Sequence, residues 1–135
     1  MSIKSKLAGG AIVVVAAFLA GFLPQYLESS RLRTELDVAQ RQTAIDKTRV
    51  MAGRILLEAS RQNYGSAQDA SARYFNALRE LAEKPENTEM KTSLLELLNA
   101  RDSITSSLAQ GDPAVVMELQ TLMQRTYDLP DARAR

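Results

Sequence analysis

Residues 7–27 read LAGGAIVVVAAFLAGFLPQYL, 21 positions from Leu7 to Leu27 without a charged side chain. Coiled into a helix, such a run reaches about 31 Å, close to the ~30 Å hydrocarbon thickness of a bilayer. Core helices of soluble domains seldom stay uncharged for that length. The pattern predicts a transmembrane helix over 7–27, preceded by a short N-terminal tail, 1–6, that carries Lys4 and Lys6. Pro24 lies near the exit, where a kink costs less than at the centre. A cleaved leader would need small residues at both the −1 and −3 positions. Cutting after Ala20 puts Phe18 at −3, cutting after Gly21 puts Leu19 there, and cutting after Ala17 puts Val15 there. The run therefore reads as a retained anchor.

Small residues recur at four-residue spacing within it, Ala16 with Ala20 and Ala17 with Gly21. Such faces admit close approach of another membrane helix. Tyr26 is placed as an interfacial anchor, and Arg31 and Arg33 fall within reach of lipid phosphates. Membrane lipid is thus the first expected partner. A short basic segment ahead of an apolar run is the pattern of a signal anchor, which exports the domain C-terminal to it. The Lys/Arg count beyond the anchor (Arg31, Arg33, Arg41, Lys47) points the other way. Long domains weaken that rule, so the expectation is a bacterial-type inner membrane with the helical domain on the extracytoplasmic side.

The 135 residues hold 17 Lys+Arg and 16 Asp+Glu, and no His, Cys or Trp. Without His and Cys the usual zinc, haem and iron–sulfur ligand sets cannot be built, and imidazole or thiol catalysis is closed. No cofactor or metal is expected. A net charge of +1 argues against a nucleic-acid binder. Four Pro, six Gly and few aromatics among many Ala, Leu, Gln and Arg favour helix.

From 28 to 63 the chain has one Gly and no Pro, and reads as an amphipathic stalk helix. Leu32, Leu36 and Ala39 form one stripe; Val38, Ile45, Ala52 and Ala59 recur at intervals of seven. Asn63-Tyr64-Gly65-Ser66 is a stop–start signal, with Gly65 closing one helix and Ser66 capping the next over 66–83. Residues 84–88 form a loop, and Asn87 or Thr88 caps a helix to about Ala109. Its buried face includes Leu94, Leu97, Ile104, Leu108 and, in part, Arg101. In Gln110-Gly111-Asp112-Pro113 the Gly stops one helix and the Asp caps another that runs to about Asp128 and buries Tyr127. The fold class is therefore all-α: a single N-terminal transmembrane helix, a long stalk helix, and a small antiparallel bundle of three further helices over 64–129. Residues 130–135 are expected to be a disordered tail.

Gly65, Ala70, Tyr74, Ala77 and Leu78 fall at offsets that resemble the second half of a tetratricopeptide repeat, over about Met51–Glu83. The first helix lacks that family's Trp-Leu-Gly pattern, and no second copy occurs downstream. The resemblance implies a helical hairpin that serves as a protein-binding scaffold.

No constellation points to catalysis. Glu80 and Glu83 share a helix face, as do Glu86 and Glu89 across a helix start, but solvated acidic edges at helix ends explain both pairs. The expected function is non-enzymatic, that of an accessory or scaffold subunit of a larger membrane complex in bioenergetics, secretion or division. The expected partners are other subunits of that complex. Leu32, Leu36, Tyr64 and Phe75 are the candidate contacts. The alternative is a homo-oligomer, a self-associating stalk paired through residues 32–59, similar in layout to small division proteins.

Overall fold

The computed structural model describes residues 3–133. Its elements are α1 (Ile3–Ser60), α2 (Tyr64–Glu83), α3 (Thr88–Asn99), α4 (Arg101–Ala109) and α5 (Val115–Tyr127); no strand occurs among the described residues. Residues 3–6 of the expected N-terminal tail are already helical, and residues 1–2 and 134–135 lie outside the described ones. Two units divide the chain, 1–37 and 38–135.

The first unit holds only α1. Pro24 lies inside the helix. The side chains of Ser29 and Thr34 donate to the carbonyls of Tyr26 and Ser30 within it, so no new cap forms at Ser29 or Ser30.

The second unit begins at Val38, not at Tyr64, which corrects the expected boundary. Ile45, Thr48, Ala52, Ile55 and Ala59 of α1 are all buried. They keep to a 3–4 alternation, the narrow seam of a helix that packs on one side. The interval-of-seven pattern thus marks a wall of the domain's own core.

The turn from α1 to α2 closes on Gln62, whose φ is +60°. The Gln62 amide donates to the Ala59 carbonyl and the Asn63 amide to that of Glu58, both at 2.9 Å. This is the Schellman pairing, which requires a left-handed residue after the helix. Gly65, expected in that role, lies inside α2. The stop falls three residues earlier because the Asn63 side chain also donates to the Glu58 carboxylate, at 2.8 Å.

Along α2, Ala67, Ala70, Ser71, Tyr74, Phe75 and Leu78 are buried. That arc is wide enough for α2 to pack on more than one neighbour. It takes in Phe75, expected as an exposed contact, whose ring meets that of Tyr74 edge-on at 5.0 Å.

The helix expected over 88–109 is two. Asn87 caps α3 by accepting from the Met90 amide at 2.8 Å. At Ala100 the amide turns to the Leu97 carbonyl, a tighter turn than α. An unbroken helix would have set Arg101 between Leu97 and Ile104 on the buried face; after the break Arg101 is exposed. The three further helices are therefore four.

Gly111 takes φ +65° and repeats the Schellman pairing, its amide donating to Leu108 and that of Asp112 to Ser107. The Asp112 carboxylate then accepts from the Ala114 amide at 2.9 Å. In α5 the buried residue near the C-terminal end is Thr126, and Tyr127 is exposed.

Candidate functional site

The expected membrane-facing residues lie in the first unit. One 18-residue apolar window of α1 has a mean hydropathy of 1.9, and 0% of it is buried. The helix is thus long and apolar enough near its N-terminus to cross a membrane. Ile12, Val13, Val14, Phe18 and Phe22 each stand more than half exposed. Ala16, Ala17, Ala20, Gly21, Tyr26, Arg31 and Arg33 are exposed as well, as are Leu32 and Leu36.

Within the second unit the four contact candidates are only partly represented. Phe75 is buried in the core, and Tyr64 is half-buried against it. Of the stripe expected to pair two chains, Ile45, Ala52 and Ala59 are already covered inside the domain. That removes these three residues, but not the exposed Val50 and Leu57, from a dimer seam. Glu80, Glu83 and Glu89 are exposed. No cluster of three or more Asp or Glu suited to a metal occurs among the described residues.

The sequence pattern gives no hint of a polar clasp at the end of the chain. Leu129 and Ala132 are buried, so residues 130–132 of the tail expected to be disordered lie against the domain. The strap is held by two residues on one face of α1. Gln42 accepts from the Ala132 amide through Oε1 at 2.8 Å and donates to Asp131 through Nε2 at 3.1 Å. Arg49 donates to the Asp131 carboxylate at 2.9 Å and to the Leu129 carbonyl at 2.8 Å. Asp46 accepts from both Gln42 and Arg49. The Arg49 guanidinium and the Gln42 amide hold the Asp131 carboxyl below the usual carboxylate range. The i, i+4 and i+7 spacing of Gln42, Asp46 and Arg49 is visible as one helix face, but nothing in it names Asp131.

A second element absent from the sequence-based expectation is the buried hydroxyl pair. The Tyr74 hydroxyl lies 2.6 Å from Thr126 Oγ1. Thr126 donates its own hydrogen to the Leu122 carbonyl at 2.7 Å, so Tyr74 is the donor. Burial pushes the phenol up to about 12, against the lowering effect of Thr126.

Hollows on the surface of the second unit include two with apolar floors. One of about 250 Å³ lies over Leu97, Ile104 and Leu122 and is rimmed by Glu96, Glu118 and Arg125. The other, about 190 Å³, lies between α2 and α4 and is lined by Ser71, Phe75, Arg101 and Leu108 among others. Ser71 Oγ is buried without a hydrogen-bond partner among the described residues.

Comparison with family models, with curated proteins and with solved structures finds no match.

Proposed function

We propose that this chain is a non-enzymatic, single-pass membrane protein in which residues 7–27 span the bilayer and the helical domain docks other subunits of a membrane complex. One observation carries the first half: an apolar window that the fold leaves wholly uncovered. A helix that is apolar all round needs burial on every side. Here the protein supplies none, and lipid supplies it at no cost in unsatisfied backbone, since every helical N–H is paired internally. Pro24 fits this setting, because membrane helices tolerate proline near their ends. The short basic segment before the span favours an extracytoplasmic domain. The second half is supported by a domain with surface hollows and an anchor whose Ala16/Ala20 and Ala17/Gly21 faces allow close helix approach.

Alkaline carbonate extraction tests the anchor: the chain should stay with the membrane pellet, and release into the supernatant would overturn the proposal. The absence of native Cys makes orientation equally direct. A single cysteine at exposed Asn99, N99C, should react with an impermeant maleimide from outside intact cells. Cross-linking from the same position, read by mass spectrometry, should capture membrane-complex subunits. Recovery of the chain alone would count against docking. A homo-oligomer is the competing reading, and Leu32 and Leu36, 61% and 57% exposed, are what favours it.

A further inference from the structure

Ser71 and Arg101 are each odd in isolation. A serine inside a helix ordinarily donates to the carbonyl four residues back. Ser71 is 3% exposed, and its hydroxyl has no partner among the described residues. Leaving a buried hydroxyl unpaired is unfavourable, so the position calls for an acceptor brought from outside. Arg101 is turned to solvent by the break at Ala100 and forms no ion pair among the described residues. It is the first residue of α4, where the helix dipole adds to its positive charge.

Both residues line one hollow. Gln68, Ser71 and Phe75 contribute from one face of α2, and Arg101, Thr105 and Leu108 from one face of α4. The polar groups are a guanidinium, an amide and two hydroxyls, all able to donate, and no carboxylate lines the hollow. Phe75 and Leu108 supply an apolar wall. At about 190 Å³ the hollow is the size of one side chain.

We propose that this hollow binds a carboxylate on a short apolar stem, the size of a single glutamate side chain, presented by a docking polypeptide. Its methylenes lie on Phe75 and Leu108. Its oxygens accept from Arg101, Thr105 and the unpartnered Ser71 hydroxyl. The proposal rests on the docking reading above only for the source of the carboxylate; the site itself stands on the hollow and its donors.

The test is an NMR titration of the full chain in lipid nanodiscs, monitoring the amides around residues 71 and 105. n-Butanoate is the probe, and n-butylamine of the same length is the control. Saturable shifts with butanoate in the millimolar range are expected, and none with the amine. R101Q should weaken butanoate at least tenfold. S71A should weaken it several-fold while leaving the melting temperature unchanged or raised, because its hydroxyl has no bond to lose. No saturable shift, an equal response to the amine, or full affinity in R101Q would each overturn the site. None of these bears on carbonate extraction, so the anchor and the hollow fail independently.

Discussion

Residues 9–27 and 42–59 belong to the same helix, and both are rich in Ala, Val, Ile and Leu. They differ in arrangement. In the second stretch a buried apolar seam, Ile45–Ala52–Ile55–Ala59, runs between exposed positions such as Asp46, Lys47 and Arg54. In the first they have no seam, and every described side chain there is exposed. A seam specifies one packed neighbour, whereas apolarity on all sides specifies an apolar solvent. Two phenylalanines put that difference to the sharpest test. Phe75 is 1% exposed and Phe18 is 69% exposed. Phe75→Ala should cost about 3–5 kcal/mol in urea unfolding of the domain, from lost transfer energy and the cavity left behind. Phe18→Ala should leave the same transition unmoved within about 0.5 kcal/mol. Equal losses would mean that Phe18 contributes to the domain's stability despite its exposure.

The polar interior of the second unit has no counterpart in the first. Thr126→Val removes the one acceptor that the buried phenol has among the described residues and should cost about 1–3 kcal/mol, the penalty of an unpaired donor. Tyr74→Phe leaves Thr126 with its own donation to Leu122 intact, and should cost about 1 kcal/mol. The phenol also sets an alkaline limit. Its folded pKa, about 12, lies above the ordinary 10.0. The stability it lends is complete below the ordinary value. It is then lost as pH rises from there through about 12, because the unfolded chain releases its proton first. Tyr74→Phe should remove that limb from a plot of chemical stability against pH.

Residues 7–27 were legible because an uncharged run needs no partner to be recognised. Ile45, Ala52 and Ala59 were legible as a period, but a period does not say whether the neighbour is the same chain or another copy. That ambiguity produced the expected stalk. Phe75 was misplaced by assuming that a helix has one neighbour: adjacent residues can both be buried when the covered arc is wide, as on α2. The break at Ala100 carries no Gly or Pro, so local propensity is silent about it. The strap over 129–132 depends on contacts across some 80–90 residues, such as Ala132 to Gln42, which no window of sequence contains.

The two Schellman turns of the second unit sharpen the comparison at the scale of a single backbone torsion. Gly111 sits at φ +65° and Gln62 at φ +60°, so one turn uses the residue that tolerates this region and the other does not. Gly111→Ala should destabilise by about 1–2 kcal/mol through backbone strain. Its new Cβ would meet only Tyr64 carbons at 3.5–3.6 Å, an ordinary contact. Gln62→Gly should do the reverse and stabilise by about 0.5–1 kcal/mol, since the strain at a left-handed position is relieved. Both are read as midpoint shifts in urea. A loss in Gln62→Gly would show that the α1–α2 turn is not closed as described.

The smallest effect is at the chain's end, where the second unit comes nearest to having an uncovered segment of its own. The Asp131 carboxyl is held below its usual range, first by the hydrogen bond from Arg49 and then by that from Gln42. A depressed carboxyl contributes above its unfolded pKa and stops contributing as pH falls through the folded value. The strap should therefore hold at neutral pH and loosen below about 4, the ordinary carboxylate range. Because Asp131 is half exposed, global melting should barely move. The reporter is the Ala132 amide, which donates to Gln42. Its hydrogen exchange, corrected for the intrinsic effect of pH, should be protected at pH 7 and lose that protection as pH falls through the lowered titration of Asp131. Asp131→Asn should weaken it already at neutral pH, and Gln42→Ala should abolish it at every pH. Exchange at the unprotected rate at pH 7 in the native chain would make 130–132 part of the disordered tail that the sequence suggests, and would leave Arg49 and Gln42 without a reason to be covered.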